Sequence, residues 1–123
     1  MPTAVEVTLD CADAPALATF WTLALGYVDR SPNQDADRGF AWLHDLRGVG
    51  PHLCLLEVPE PKTVKNRMHF DLVVSGEGSP DQQWQRVTDE VERLRALGAS
   101  VLAECSGHHI LMADPEGNEF CVT

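Results

Sequence analysis

Basic residues are scarce. Nine Lys and Arg stand against nineteen Asp and Glu in 123 residues, a formal charge of −10 with histidine neutral. Nucleic acids and anionic membrane surfaces are recognised by clustered Lys and Arg, so this balance counts against both as partners. It leaves a small anionic ligand open, because that concerns a few residues rather than the mean field. Long apolar runs are missing as well, and none approaches the roughly 20 residues that cross a bilayer. The N-terminus MPTAVEV lacks the basic stretch and apolar run of a secretory leader, so a cytoplasmic location is expected. Four cysteines, Cys11, Cys54, Cys105 and Cys121, show no CxxC spacing, which argues against a disulfide framework or a structural zinc knot. Three of them sit in the apolar runs TLDCA, HLCLL and EFCVT and read as small core residues.

What is present is an ordinary globular composition, 44% hydrophobic and 23% charged, at a length that suits a single domain over 1–123. Val5, Val7, Leu9 and Cys11 alternate with Glu6, Thr8 and Asp10, the period of a strand with one buried face. Asp13 then offers an N-cap ahead of Pro15; Leu17, Phe20, Trp21, Ala24 and Leu25 follow at helical spacing, and Gly26 closes the helix. The polar stretch Asp29 to Arg38 reads as loop, and Phe40 to Leu46 and His52 to Val58 read as a hairpin around Arg47-Gly48-Val49-Gly50.

The same order returns. Arg67 to Val74 reads as a strand, with Met68, Phe70, Leu72 and Val74 on one face and Arg67, His69 and Asp71 on the other. Ser79-Pro80-Asp81-Gln82 is a capping box before a helix whose apolar stripe is Trp84, Val87, Val91, Leu94 and Leu97, ending at Gly98. Short strands follow near Val101 to Glu104, His109 to Ala113 and Glu119 to Thr123, the last two joined by Asp114-Pro115-Glu116-Gly117. A shift of 63 lays Val5, Val7 and Leu9 on Met68, Phe70 and Leu72, and Glu6 and Thr8 on His69 and Asp71; a shift of 72 lays Leu25-Gly26 on Leu97-Gly98. Order, helix ends and face polarity agree, which predicts a tandem βαβββ repeat with halves of approximately 1–60 and 61–123 in an α+β fold.

DCADAPALATFWTLALGY, KNRMHFDL and the terminal DPEGNEFCV resemble the vicinal oxygen chelate superfamily, which includes glyoxalase I, bleomycin-resistance proteins, fosfomycin-modifying enzymes and extradiol dioxygenases. Within it the chain is most similar to the glyoxalase-like single-domain proteins common in actinobacteria. The resemblance implies two βαβββ modules forming a U-shaped, eight-stranded mixed sheet around a cleft, with the helices outside. It turns Glu6, Thr8, Asp10, Arg67, His69 and Asp71 toward that cleft, and it makes a homodimer the expected assembly. Trp42, alternating with Phe40 and His44, suits either a cleft wall for a flat ligand or the core.

The resemblance also implies divalent-metal ligands, typically His or Gln, Glu, His and Glu, on the first, fourth, fifth and eighth strands. Glu6 and His69 stand at the first and fifth. Glu57 is the natural oxygen ligand near the fourth, and at the eighth the usual Glu falls on Cys121, with Glu119 two residues earlier. The implied ion is Zn, Ni, Mn or Fe, and the substitutions leave a metal-free site equally open. Two functions follow. One is an enzyme binding a small metabolite for lyase or isomerase chemistry, with His69 as metal ligand or as acid and base oriented by Glu6 or Asp71, and Arg67 or Lys65 holding an anionic group. The other is a binding protein that sequesters a drug or natural product without turnover. In both, Thr8, Asp10, Trp42, Arg67, Asp71 and Cys121 are the expected ligand contacts.

Overall fold

The computed structural model describes residues 1–31, 38–105 and 107–123. They form two compact units, Met1–Lys62 and Thr63–Thr123. In the first, β1 (Val7–Cys11), α1 (Ala14–Leu25), β2 (Val28–Asp29), β3 (Phe40–His44) and β4 (Leu53–Glu57) give a sheet ordered β1-β4-β3-β2. In the second, β5 (Asp71–Leu72), α2 (Pro80–Ala96), β6 (Ser100–Cys105), β7 (His109–Ala113) and β8 (Glu119–Val122) give the order β5-β8-β7-β6. In both units the first strand runs parallel to the last and the other neighbours are antiparallel. The fold is α+β, two βαβββ modules with one four-stranded mixed sheet each and no closed barrel.

Local chemistry sets the helix ends. Asp13 Oδ1 accepts from the Ala16 N–H at 3.0 Å, and Gly26 closes α1 in the left-handed conformation at φ 70°. The capping box of α2 is complete: Ser79 Oγ accepts from Gln82 N at 3.2 Å, and Gln82 Oε1 accepts from Ser79 N at 2.9 Å. Asp81 in its first turn and Arg93 and Arg95 in its last complement the helix dipole. Each helix packs on one face of its own sheet. Leu17, Phe20, Trp21 and Ala24 bury against Ala41, Leu43, Leu53 and Leu55; Val87, Val91 and Leu94 bury with Leu72, Ile110, Met112, Phe120 and Val122.

One carboxylate organises the turn that precedes the last strand of each unit. Asp45, 3% exposed, accepts from Arg47 N (2.9 Å), Val49 N (3.0 Å) and Gly50 N (2.7 Å), with Arg47 Nε at 3.1 Å. Asp114 accepts from Glu116 N and Asn118 N, both at 2.9 Å, while Asn118 Nδ2 donates to both its oxygens. The main chain repeats the pattern, Gly48 N donating to Asp45 O and Gly117 N to Asp114 O. The Gly50 N–H above all, then the Arg47 and Val49 contacts, hold the Asp45 carboxyl well below the usual carboxylate range, against the opposing effect of burial.

Two expectations are corrected. The strand anticipated over Arg67–Val74 is regular only at Asp71–Leu72, although Cys121 N still donates to Phe70 O and Val74 N to Thr123 O. Arg67 and Met68 lie in a bend, and Met68, expected in the core, is 77% exposed. The physical reason is the partner: β8 begins at Glu119, so the chain before Phe70 has no ladder to hold a strand or to press Met68 inward. Val28–Asp29, read partly as loop, is a short strand because Val28 and Asp29 pair with His44 and Leu43. Within that anticipated loop, residues 32–37 lie outside the described residues.

Removal of the Asp45 charge in Asp45→Asn should lower the urea midpoint at pH 7, because an amide nitrogen would face N–H donors. The depressed folded pKa means that Asp45 contributes its full stability above the unfolded value of about 4 and loses it as the pH falls further. The gap between wild type and variant should therefore close in urea titrations taken progressively below that pH. Ser79→Ala should cost about 1 kcal/mol through the lost cap. Leu55→Ala, at a position with no exposed surface, should cost about 2–5 kcal/mol in the same measurement.

Candidate functional site

The face of the second sheet turned away from α2 carries the densest chemistry. Parallel pairing sets Asp71 opposite Cys121. His69 precedes Asp71 by two residues, just ahead of β5, and its imidazole turns to the Asp71 side chain. One ligand atom from each of His69, Asp71 and Cys121 lies within 4.8 Å of the others. His69 Nδ1 is 3.5 Å from Asp71 Oδ1, and both side chains are open to solvent. The Cys121 sulfur lies deeper, in a residue 8% exposed. Burial pushes its thiol pKa up, the Asp71 carboxylate and Cys105 add to this, and Lys65 opposes it. Left to itself this sulfur is a thiol, so it is a poor nucleophile but a competent donor to a cation that displaces its proton.

Glu119 shares the alternation of Cys121 on β8, yet its Oε2 accepts from the Asn66 N–H at 2.9 Å. It fastens the entry to β5 rather than joining the three-donor group. Arg67 is exposed in the bend just ahead of His69.

In the first unit Glu6, Thr8 and Asp10 are all exposed. The register places Thr8 opposite Cys54 and Asp10 opposite Leu56, and β3 adds Trp42 and Phe40 in the same rows. Trp42 is half-buried with its ring stacked on Phe40, centroids 6.3 Å apart and planes 10° from parallel. Trp42 therefore belongs to the open face of its sheet. Glu57 goes the other way. It pairs with Cys11, its side chain crosses Gly39, where a Cβ would come within 2.6 Å of Oε2, and its Oε1 accepts from the Ala14 N–H at 3.0 Å. It caps the first turn of α1 and is not brought to the face of Glu6.

Of the residues read from the sequence, the structure thus groups His69, Asp71 and Cys121. The sequence assigns Asp71 to ligand contact only, and Cys121 both to ligand contact and to the eighth-strand position where the resemblance expects a metal ligand. The signal for Asp71 was the His-x-Asp spacing, which puts both side chains on one strand face. For Cys121 the resemblance supplies the strand position, and the β5–β8 register adds that it stands opposite Asp71. An imidazole, a carboxylate and a thiol suit a borderline-soft ion such as Zn(II); hard Mn(II), which prefers oxygen, is a poorer match.

A family model for the glyoxalase-like domain matches residues 6–123. No protein of curated function matches the chain in sequence. Among solved structures, a glyoxalase/bleomycin resistance protein/dioxygenase family enzyme from Burkholderia phytofirmans superposes with a TM-score of 0.69 at 17% identity, covering 98% of this chain and 97% of that one. A glyoxalase-related enzyme from Fulvimarina pelagi gives 0.68 at 21%, covering 98% and 87%. The fosfomycin resistance protein FosX from Listeria monocytogenes, as its E126Q mutant with Mn(II) and 1S,2S-dihydroxypropylphosphonic acid, gives 0.70 at 15%, covering 99% and 90%. The order of elements, the paired modules and the family match over nearly the whole length together make this chain a member of the glyoxalase-like domain family, within the vicinal oxygen chelate superfamily.

Proposed function

We propose that the protein binds a small oxygen-bearing metabolite at the open face of its second sheet, with His69, Asp71 and Cys121 holding a divalent cation of the zinc type, and acts on it by lyase or isomerase chemistry. One observation carries this reading, the convergence of three unlike donors within 4.8 Å, two on the paired strands β5 and β8 and one just ahead of β5. When bound, such an ion polarises a ligand oxygen and makes a neighbouring C–H more acidic. The chain's own residues do the rest. Asp71 beside His69 orients the imidazole, so that His69 can exchange a proton wherever it is not engaged as a ligand. Lys65, whose charge acts on the Cys121 thiol, is the residue proposed to hold an anionic group of the metabolite. The Mn(II) complex of FosX supports the class of chemistry by analogy of fold. A homodimer and a cytoplasmic location belong to the same proposal. In its support, dimers are common in this superfamily, and among the described residues no helix is long and apolar enough to cross a membrane.

Titration of chelator-treated protein with Zn(II), followed by calorimetry, should show a site that His69→Ala or Cys121→Ser weakens by at least about tenfold. Unchanged affinity in both variants would overturn the metal reading. Ligand binding by metal-free protein without turnover would point instead to sequestration. Because the Cys121 thiol must lose a proton that burial helps it keep, apparent Zn(II) affinity should rise with pH from 6 to 9 in wild type and rise less steeply in Cys121→Ser. The calorimetric proton count in two buffers checks the cause.

A further inference from the structure

The three donors of the second sheet have an apolar neighbour that the reading above does not use. On β7, Ile110 and Met112 are buried with α2, so alternation brings His109, Leu111 and Ala113 to the open face shared with Cys121. Leu111 is the direct partner of Cys121 on β8 and of Ala103 on β6, while Asp71 partners Cys121 from β5. One row across four strands therefore reads carboxylate, thiol, leucine, alanine. Leu111 is half-buried and Ala103 exposed, so both offer surface that a ligand can cover. The row is bordered by polar groups on both sides: Ala113 pairs with Glu119, whose carboxylate is held on the Asn66 N–H, and His109 pairs with Cys105. The apolar strip is thus a single row wide. Two strand spacings of about 4.8 Å separate Cys121 from Ala103, room for an alkyl chain of about four carbons.

We infer that Leu111 determines specificity at the proposed site, and that its metabolite is a small acid with an oxygen at C2 and a short, unbranched alkyl side chain. The inference rests on the proposed function and adds to it the shape of the ligand. With the C2 oxygen at the cation of His69, Asp71 and Cys121 and the carboxylate left to Lys65, the remaining substituent runs from Cys121 over Leu111 toward Ala103. Covering that strip removes apolar surface from water on ligand and protein together, so each methylene adds affinity. A polar substituent gains nothing there, because neither Leu111 nor Ala103 has a side-chain donor or acceptor to replace the water it loses. A branched one meets the Glu119 and His109 borders of the strip.

Calorimetric titration of the Zn(II)-loaded full chain with glycolate, lactate, 2-hydroxybutanoate and 2-hydroxypentanoate tests this. Affinity should rise by about two- to fourfold with each added carbon. Glycerate, which carries a hydroxyl in place of the terminal methyl of 2-hydroxybutanoate, should bind more weakly than that acid. Leu111→Ser should flatten the series while its Zn(II) affinity stays at the wild-type value, which also shows that the variant folds; Leu111→Met, which conserves volume, should keep the rise. Reading a gradient within each protein cancels any effect of the substitution on the ion itself. A flat series in wild type, a gradient that survives Leu111→Ser, or no binding of these acids to the loaded protein would overturn the inference and leave the proposed cation site standing. A chain that takes up no Zn(II) would overturn both.

Discussion

The register of β4 beside β1, and of β8 beside β5, is what every polar cluster in this protein depends on. Strand side chains alternate, so a slip of one residue would send Glu6, His52 and Cys121 to the helix side and bring apolar residues out. The last strand of each unit is aimed by a turn, and each turn is tied by one buried aspartate accepting main-chain N–H groups. Nearly dry carboxylates are expensive unless their oxygens are saturated. Asp45 and Asp114 meet that condition with donors spaced along their own turns, which makes the turn geometry and the charge mutually dependent.

The architecture was largely legible in the sequence because it rests on local signals. The N-caps Asp13 and Ser79, the closing Gly26 and the apolar stripe of α2 are all short-range features, and the structure places them as read. The 63-residue offset likewise lays Thr8 and Leu9 on Asp71 and Leu72, residues within equivalent parallel pairings. What escaped was set by distant partners. Met68 looks like a core residue by alternation, but alternation presumes a neighbouring strand, and β8 does not reach that far. Glu57 looks like a metal ligand by residue type, but its register with Cys11 turns it to cap α1. His44 and His52 sit eight positions apart and carry no motif, and only the hairpin pairing makes them neighbours.

Comparison of the two units shows one template with different side chains. Thr8 and Cys54 occupy in the first the paired positions that Asp71 and Cys121 occupy in the second. One row further back, Glu6 and His52 stand where the second unit has His69 and Glu119, with acid and imidazole exchanged between strands. The backbone provides the same row twice, and the choice of residue decides whether it gathers a thiol, a pair of imidazoles or a main-chain anchor such as Glu119 with Asn66.

Among the described residues, every strand of each unit finds its hydrogen-bonded neighbours inside that unit. Backbone closure is therefore local, and a change in the polar row of one module leaves the pairing of the other untouched. The repeat therefore offers two surfaces that can be altered separately on one backbone template.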